Sequence, residues 1–240
     1  MAILQAVEVY KQFGNRLVVK GISLDISQGE IVGLLGPNGA GKTTTFYMLV
    51  GIIAPGKGRV IFAGKDITRL SLSKRADLGM SYLPQESSIF KKLTVYENLM
   101  LILEYTCKEK KVRREKAETL MQELGISRLA GQKASFLSGG EARRLEIARS
   151  LIKDPKFILL DEPFAGIDPI AVDDIQKIIL RLKQKNIGVL ISDHNVRETL
   201  KICDRASLIY DGQVILNGTP GEISQDARAR QVYLGESFHL

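Results

Sequence analysis

The residues with the clearest capacity for chemistry lie in the stretch GPNGAGKT, Gly36 to Thr43. A glycine, four residues, then Gly-Lys-Thr is the spacing at which a backbone can wrap phosphate oxygens and aim its N–H groups inward. A helix opening at Lys42 would add the positive end of its dipole. Gly36, Pro37, Asn38, Gly39, Ala40, Gly41, Lys42, Thr43 and Thr44 are therefore the expected nucleotide-binding residues. In such a loop the lysine reaches the β- and γ-phosphates and the Thr43 hydroxyl ligates Mg²⁺.

A second stretch, FILLDEP, supplies a partner for the first. Four apolar residues of a buried strand end in Asp161 and Glu162, which delivers adjacent carboxylates to the carboxyl edge of a parallel sheet. Asp161 is the carboxylate expected on the Mg²⁺ side, and Glu162 the group expected to polarise an attacking water. A third stretch, FLSGGEARR from Phe136 to Arg144, is unexpected. Ser138, Gly139 and Gly140 stand where a helix should begin, so the chain carries what looks like a second anion-binding corner.

These groups need elements to hold them. AVEVY, LVVKGISLDI and EIVGLLG read as strands, the last nearly all apolar and hence a candidate central strand. A helix is expected from Lys42 to Val50, and short strands over Arg59 to Phe62 and Met80 to Leu83. Helical patterning then dominates in Val95 to Tyr105, Lys110 to Leu124 and Gly140 to Lys153. After FILLD come an amphipathic helix over PIAVDDIQKIILRLKQK and a buried strand in IGVLIS. ASLIY and QVILNG are joined at Asp211-Gly212, a strong hairpin signal. Asn195 followed by Glu198 has capping-box spacing, and helical turns with a loose end are expected from Thr219.

The bulk properties narrow the class. With 240 residues, 45% of them hydrophobic, the chain can bury one sizeable core. Its net charge is +7, of which Lys108 to Lys116, with six basic and two acidic residues, carries +4. That run reads as a solvated helix face, the alternative being a nucleic-acid or lipid patch. Cys107 and Cys203 show no metal or redox spacing, which fits a reducing compartment. No signal peptide is expected, and the least charged stretch, Ile31 to Gly56, is broken by the phosphate loop into pieces too short to span a bilayer.

With GPNGAGKT, FILLDEP and LSGGE in this order, the chain resembles the ATP-binding cassette (ABC) ATPase family over nearly its whole length. The resemblance implies an α/β fold: a phosphate-loop NTPase cassette with a RecA-like core, an antiparallel β subdomain and an inserted helical lobe. It implies one domain over 1–240, with 1–84 and 155–240 as nucleotide-binding core and 85–154 as helical lobe. The signature, LSGGQ in most of the family, would face nucleotide held by a second cassette, which accounts for the surplus corner. Ser138 and Gly140 would then contact the partner's γ-phosphate, while Gly139 lets the backbones approach.

Other roles follow position by position from the resemblance. Gln85 would reach Mg²⁺ and the attacking water. His194 would contact the γ-phosphate, and Asp168, in AGIDP where Ala-Leu-Asp is commoner, would lie at the dimer seam. Phe13 stands where an aromatic, usually Tyr, stacks on adenine; the alternative is an edge-strand core aromatic. The implied activity is ATP hydrolysis with ATP and Mg²⁺ as cofactors, Lys42, Gln85, Glu162 and His194 as catalytic residues, and Thr43, Gln85 and Asp161 as metal residues. Glu141 replaces the commoner Gln and is expected to turn from the nucleotide, towards Arg144 or Arg143.

Within the family, GLLGPNGAGKTTTFYMLVGI, YLPQESSIFKKLTVYENLM and VLISDHNVRETL are similar to the ATPases of lipopolysaccharide exporters. The alternatives are the ATPase of a branched-chain amino-acid importer and a soluble non-transport ABC protein. The exporter resemblance implies a homodimer on the cytoplasmic face of the inner membrane, bound to two integral membrane subunits, with no nucleic acid and only indirect membrane contact. Phe90, Leu93 and Tyr96 are expected to line a groove for those subunits, the alternative being ordinary packing. The terminal VYLGESFHL is expected to act as a short docking element.

Overall fold

A computed structural model describes residues 3–235 and 238. Two sheets divide the strands. The smaller is antiparallel, in the order β2-β1-β4-β5, from β1 (Ile3–Phe13), β2 (Arg16–Ser27), β4 (Lys57–Phe62) and β5 (Lys65–Asp66). The larger is built from β3 (Ile31–Leu35), β6 (Met80–Leu83), β7 (Phe157–Asp161), β8 (Gly188–Ser192), β9 (Arg205–Tyr210) and β10 (Gln213–Gly218), in the order β10-β9-β3-β8-β7-β6. Its pairings are parallel except the β9–β10 hairpin, which turns at Asp211 and Gly212 with φ of 45° and 77°. Positive φ at both central residues is what a two-residue turn matched to strand twist requires.

Burial explains why β3, β7 and β8 read as unbroken apolar runs. All five residues of each are buried, because helices cover one face of the parallel sheet and the antiparallel sheet, with the helix that follows the phosphate loop, covers the other. The register then aligns the site: Leu34 pairs with Ser192, and Ser192 with Asp161. The chain leaves these three adjacent strands at one edge, so the loop after β3, the Asp161-Glu162 corner and the Asp193-His194 corner stand side by side.

The helix α1 (Lys42–Val50) starts from Gly41 at φ 106° and ends at Gly51 at φ 84°. Its last carbonyls receive a buried cation, since the fully buried Arg75 donates to Met48 O at 2.7 Å and Leu49 O at 2.5 Å, and also to Thr68 O and Leu70 O. Arg75 belongs to α2 (Leu72–Asp77), a short helix that polar SLSKRAD does not announce. The helices α3 (Val95–Thr106), α4 (Lys110–Glu123) and α5 (Gly139–Ser150) follow β6. Capping boxes start two of them, Thr94 with Glu97 and Ser138 with Glu141, each satisfying orphan helical N–H groups. An apolar cluster joins Leu99, Leu103, Leu120 and Leu145 to Leu83, Ile158 and Leu160, so these helices share a core with the parallel sheet.

Beyond β7 come α6 (Pro169–Gln184), capped by Asp168, and α7 (Val196–Leu200). The capping box expected at Asn195 is half made. Its side chain accepts from the Glu198 amide, but the Glu198 carboxylate is taken by Gln176 and Lys201. The tail forms α8 (Pro220–Gln225), α9 (Ala227–Ala229) and a π turn over Arg230–Leu234, which packs on Leu35, Leu208 and Ile223. Most of GESFHL, the end of the expected docking element, lies outside the described residues.

Candidate nucleotide site

The loop 36–41 wraps because its glycines permit it. Gly36, Gly39 and Gly41 have φ of 146°, 76° and 106°. A Cβ on Gly36 would sit 2.1 Å from Ile209 O, so β9 presses directly against the loop. The Lys42 ammonium is folded back over this cradle, donating to Gly36 O at 2.6 Å and Pro37 O at 3.0 Å. Burial lowers its pKa, opposed by the nearby carboxylates of Glu162, Asp161 and Asp193. Thr43 is exposed at the mouth, Thr44 is half-buried, and Thr45 hydrogen-bonds Gly41 O inside the helix. Asn38 is exposed and Ala40 buried.

Asp161 and Glu162 are adjacent in sequence but differ in environment. Asp161 is buried, and burial, reinforced by Glu162, pushes its carboxyl up to about 6. The Tyr82 hydroxyl donates to it at 3.4 Å from β6, a long contact. Glu162 has φ 47°, a strained value for a non-glycine residue, and its amide donates to Ser192 O at 2.6 Å. That turn sends its carboxylate towards His194, whose Nδ1 lies 3.3 Å from Glu162 Oε2. The buried Asp193 holds the corner by accepting from the amides of Phe164 and Asn195. Burial raises its pKa too. The geometry thus brings Lys42, Asp161, Glu162 and His194 to one edge.

Other expected residues stand further out. Gln85 is exposed on the segment after β6. Phe13 is 49% exposed at the end of β1, with the Lys11 ammonium 5.5 Å from its ring centroid, so it is not a core aromatic. Ser138 is exposed at the head of α5, and its hydroxyl exchanges hydrogen bonds with Glu141. Gly139 and Gly140 have a local purpose as well. A Cβ on Gly140 would lie 2.6 Å from Ala171 Cβ, and one on Gly139 would lie 3.2 Å from Gly166 O, so both admit the 166–171 segment. Asp168, in that segment, accepts from the Ala171 amide.

The direction expected for Glu141 needs correction. Its Oε2 accepts from the Ser138 amide and hydroxyl, both at 3.0 Å, and its Oε1 from Arg128 at 3.0 Å. Arg144 is engaged by Asp174, and Arg143 is turned into the core against Glu146. Helical geometry decides this: a residue at the third position of a helix reaches back to its cap more readily than forward along its own turn. The Ser138 amide is the main cause that lowers the Glu141 pKa.

At the expected partner surface, Phe90 is 44% exposed under the Arg149 guanidinium, 4.9 Å from its centroid. Leu93 is half-buried, and Tyr96 packs against the core beneath α3, so only part of this trio is presented outward. Sequence reasoning missed Tyr82, Asp193, Arg143 and Glu146. Asp193 had a signal in its place beside His194, and Arg143 and Glu146 had one in their i,i+3 spacing; what they and Tyr82 otherwise bond to is distant in the chain.

Comparisons with known proteins place the chain in a family. The ABC transporter family matches residues 19–165. The lipopolysaccharide export system ATP-binding protein LptB of Haemophilus influenzae is 53% identical over 241 residues, covering 100% of both chains. The protein of the same name from Escherichia coli K12 is 54% identical with the same coverage. Among solved structures, a nucleotide-free ATP-binding cassette from an ABC transporter superposes with a TM-score of 0.89 at 32% identity, covering 98% of this chain and 100% of that one.

Proposed function

The chain belongs to the ABC transporter family as an ATP-hydrolysing subunit, and from that premise we propose that it powers lipopolysaccharide extraction from the inner membrane for export. The observation that supports this reading is the likeness along the whole chain to proteins named for that export system. No helix among the described residues is long and apolar enough to cross a membrane. The work is therefore delivered through others: a homodimer of this chain, on the cytoplasmic face, docks onto two integral membrane subunits at the Phe90 surface.

In this reading residues 36–44 hold the triphosphate of ATP and Phe13 stacks on its base. The residues fit Mg²⁺ as well. Among the described residues no cluster of three or more His, Cys, Asp or Glu could hold a metal alone, and Mg²⁺ is usually bound through one or two carboxylates with substrate phosphates and water. Asp161 would supply the carboxylate, with Thr43 and Gln85 as the neutral protein ligands, and the bound ion would neutralise phosphate charge. Lys42 balances charge on the transferred group. Glu162 would orient the attacking water, and His194, whose Nδ1 lies 3.3 Å from Glu162 Oε2, would contact the γ-phosphate. Ser138 and Gly140 of one copy complete the site of the other, with Asp168 at the seam.

The test has two parts. Glu162→Gln removes the water-orienting charge with little change in volume, so turnover should fall by at least about 100-fold while ATP binding persists; turnover at the parental rate would remove Glu162 from its role. For the cargo, the chain co-purified with its membrane subunits is placed in vesicles containing lipopolysaccharide, or supplied with branched-chain amino acids. ATP-dependent release of lipopolysaccharide alone is the expected result. Movement of amino acids instead would assign an importer.

A further inference from the structure

One face of α5 carries an ion pair that the nucleotide chemistry leaves unexplained. Arg143 and Glu146 are 6% and 4% exposed, and Arg143 Nη1 lies 3.0 Å from Glu146 Oε2. A buried pair of this kind gains little net stability unless its remaining hydrogen-bonding capacity is filled. Here the remaining bonds, Arg143 Nε apart, have particular destinations. Arg143 donates to Pro84 O at 3.0 Å, immediately before Gln85, and to the backbone carbonyl of Asp161 at 3.0 Å. Glu146 Oε1 accepts from the Ser87 hydroxyl at 2.8 Å and the Ser88 amide at 2.9 Å, just after Gln85. The exposed segment containing Gln85 is thus pinned on both sides by one helix, and that helix begins at Ser138.

Bonds continue in the same direction. Six residues on from Arg143, Arg149 donates to Ser88 O and covers the Phe90 ring. Phe90 is also fixed through its backbone, its amide donating to Asn98 Oδ1 at 2.9 Å and its carbonyl accepting from Asn98 Nδ2 at 3.1 Å. The segment from Pro84 to Phe90 therefore has little freedom to move independently of α5, even though Gln85 to Ser88 are exposed. Fixed hydrogen bonds between three segments transmit a displacement of one to the others.

We propose that Arg143 and Glu146 are a positioning pair for ATP hydrolysis. By holding both sides of Gln85 and the carbonyl of Asp161, they set the distance between that glutamine and the Asp161-Glu162 corner, and they make the segment follow α5 when Ser138 engages nucleotide. This rests on the roles of Gln85 and Glu162 proposed above. The pair touches neither nucleotide nor water, so its contribution is to kcat through geometry, where displacements near 1 Å can cost about 100-fold.

The experiment compares the full-length parent with Arg143→Met/Glu146→Leu, which replaces the pair by apolar groups of similar length, a change that is often neutral for stability. The expected result is a melting temperature near the parent's, ATP affinity within about twofold, and kcat reduced at least about tenfold. Faster hydrogen exchange at the Ser88 amide should accompany it. A folded double variant with parental kcat would overturn the proposal, because the pair would then be structural only. Should that variant not fold, Glu146→Asp keeps the charge beside Arg143 but draws the carboxylate back from Ser87 and Ser88. Reduced kcat with unchanged KM supports the pair, and parental kcat overturns it. Glu162→Gln run in parallel separates the failures, since parental turnover there would indict the site itself rather than the pair.

Discussion

Two corners of this molecule use glycine beside a helix start, and they use it in opposite ways. In the phosphate loop, Gly36, Gly39 and Gly41 adopt left-handed φ, so the backbone curls into a concave cradle over which Lys42 folds. In the signature corner, Gly139 and Gly140 are the first residues of α5, and their missing side chains make room for the 166–171 segment behind them. The first corner encloses; the second presents a helix end outward, flanked by Phe136 and Ile170 at 73% and 80% exposure. A concave nest can hold an anion alone, whereas an open helix end supplies only a dipole and a few donors. In the function proposed above, the open corner is half of a site.

The carboxylates at the two corners show the same contrast. Asp161 is buried, no cation among the described residues forms an ion pair with its carboxylate, and its pKa is pushed up to about 6. Glu141 is satisfied by Ser138 and Arg128, and its pKa is lowered. One is a carboxylate whose burial costs stability at neutral pH. The other is a completed cap.

The largest break in this contrast is expected at the cradle. Gly36→Ala places a methyl 2.1 Å from Ile209 O at a φ of 146°, so the loop must open. ATP binding should be lost and stability should drop by roughly 3 kcal/mol or more, as read by nucleotide titration and urea unfolding. Gly140→Ala meets Ala171 Cβ at 2.6 Å and must separate α5 from α6. Destabilisation of about 1–3 kcal/mol is expected, with ATP affinity of the single chain kept and turnover reduced; loss of affinity equal to that of Gly36→Ala would erase the distinction between the corners.

Asp161→Asn should raise stability at neutral pH while abolishing turnover. The native carboxyl holds its proton more tightly than the unfolded chain does, so its destabilising effect is absent below about pH 4 and grows until pH passes about 6. The difference between the ordinary 3.8 and about 6 corresponds to at most about 3 kcal/mol. Thermal melts in chelator at pH 4 and pH 7.5 measure it, and a stabilisation that did not change with pH would contradict the assignment to this carboxyl. The smallest effect belongs to Glu141→Gln. Its stabilisation is present above the ordinary carboxylate range and fades as pH falls through the lowered native pKa. At pH 7 a loss of about 0.3–1 kcal/mol is expected, with ATP affinity unchanged; a large gain in affinity would show that Glu141 faces the phosphates.

Much of this was legible because local chemistry dictated it. GPNGAGKT between an apolar strand and a helix, FILLDEP at a strand end and Asp211-Gly212 between two strands all encode their geometry within a few residues. The helix α2 was not legible, because SLSKRAD is polar and only Arg75 is buried there, engaging carbonyls up to 27 residues away. Glu141 was legible as a departure but misread in direction. Two nearby arginines looked available, and only the packed structure shows that both were already committed to other partners.

By itself, then, the sequence determined the chemical inventory: a phosphate cradle, a paired carboxylate, a histidine and a second glycine corner. Periodicity determined the elements that carry them, since alternation and apolar runs are properties of neighbouring residues. What only the tertiary structure decided was how those pieces are joined. The level at which β3, β8 and β7 end, the turn of Glu162 towards His194, and the bonds from Arg143 and Glu146 to Pro84, Ser87 and Ser88 around Gln85 all depend on contacts between residues remote in the chain. Side chains compete for a finite set of partners in a closely packed interior, and that competition has no signature in local sequence.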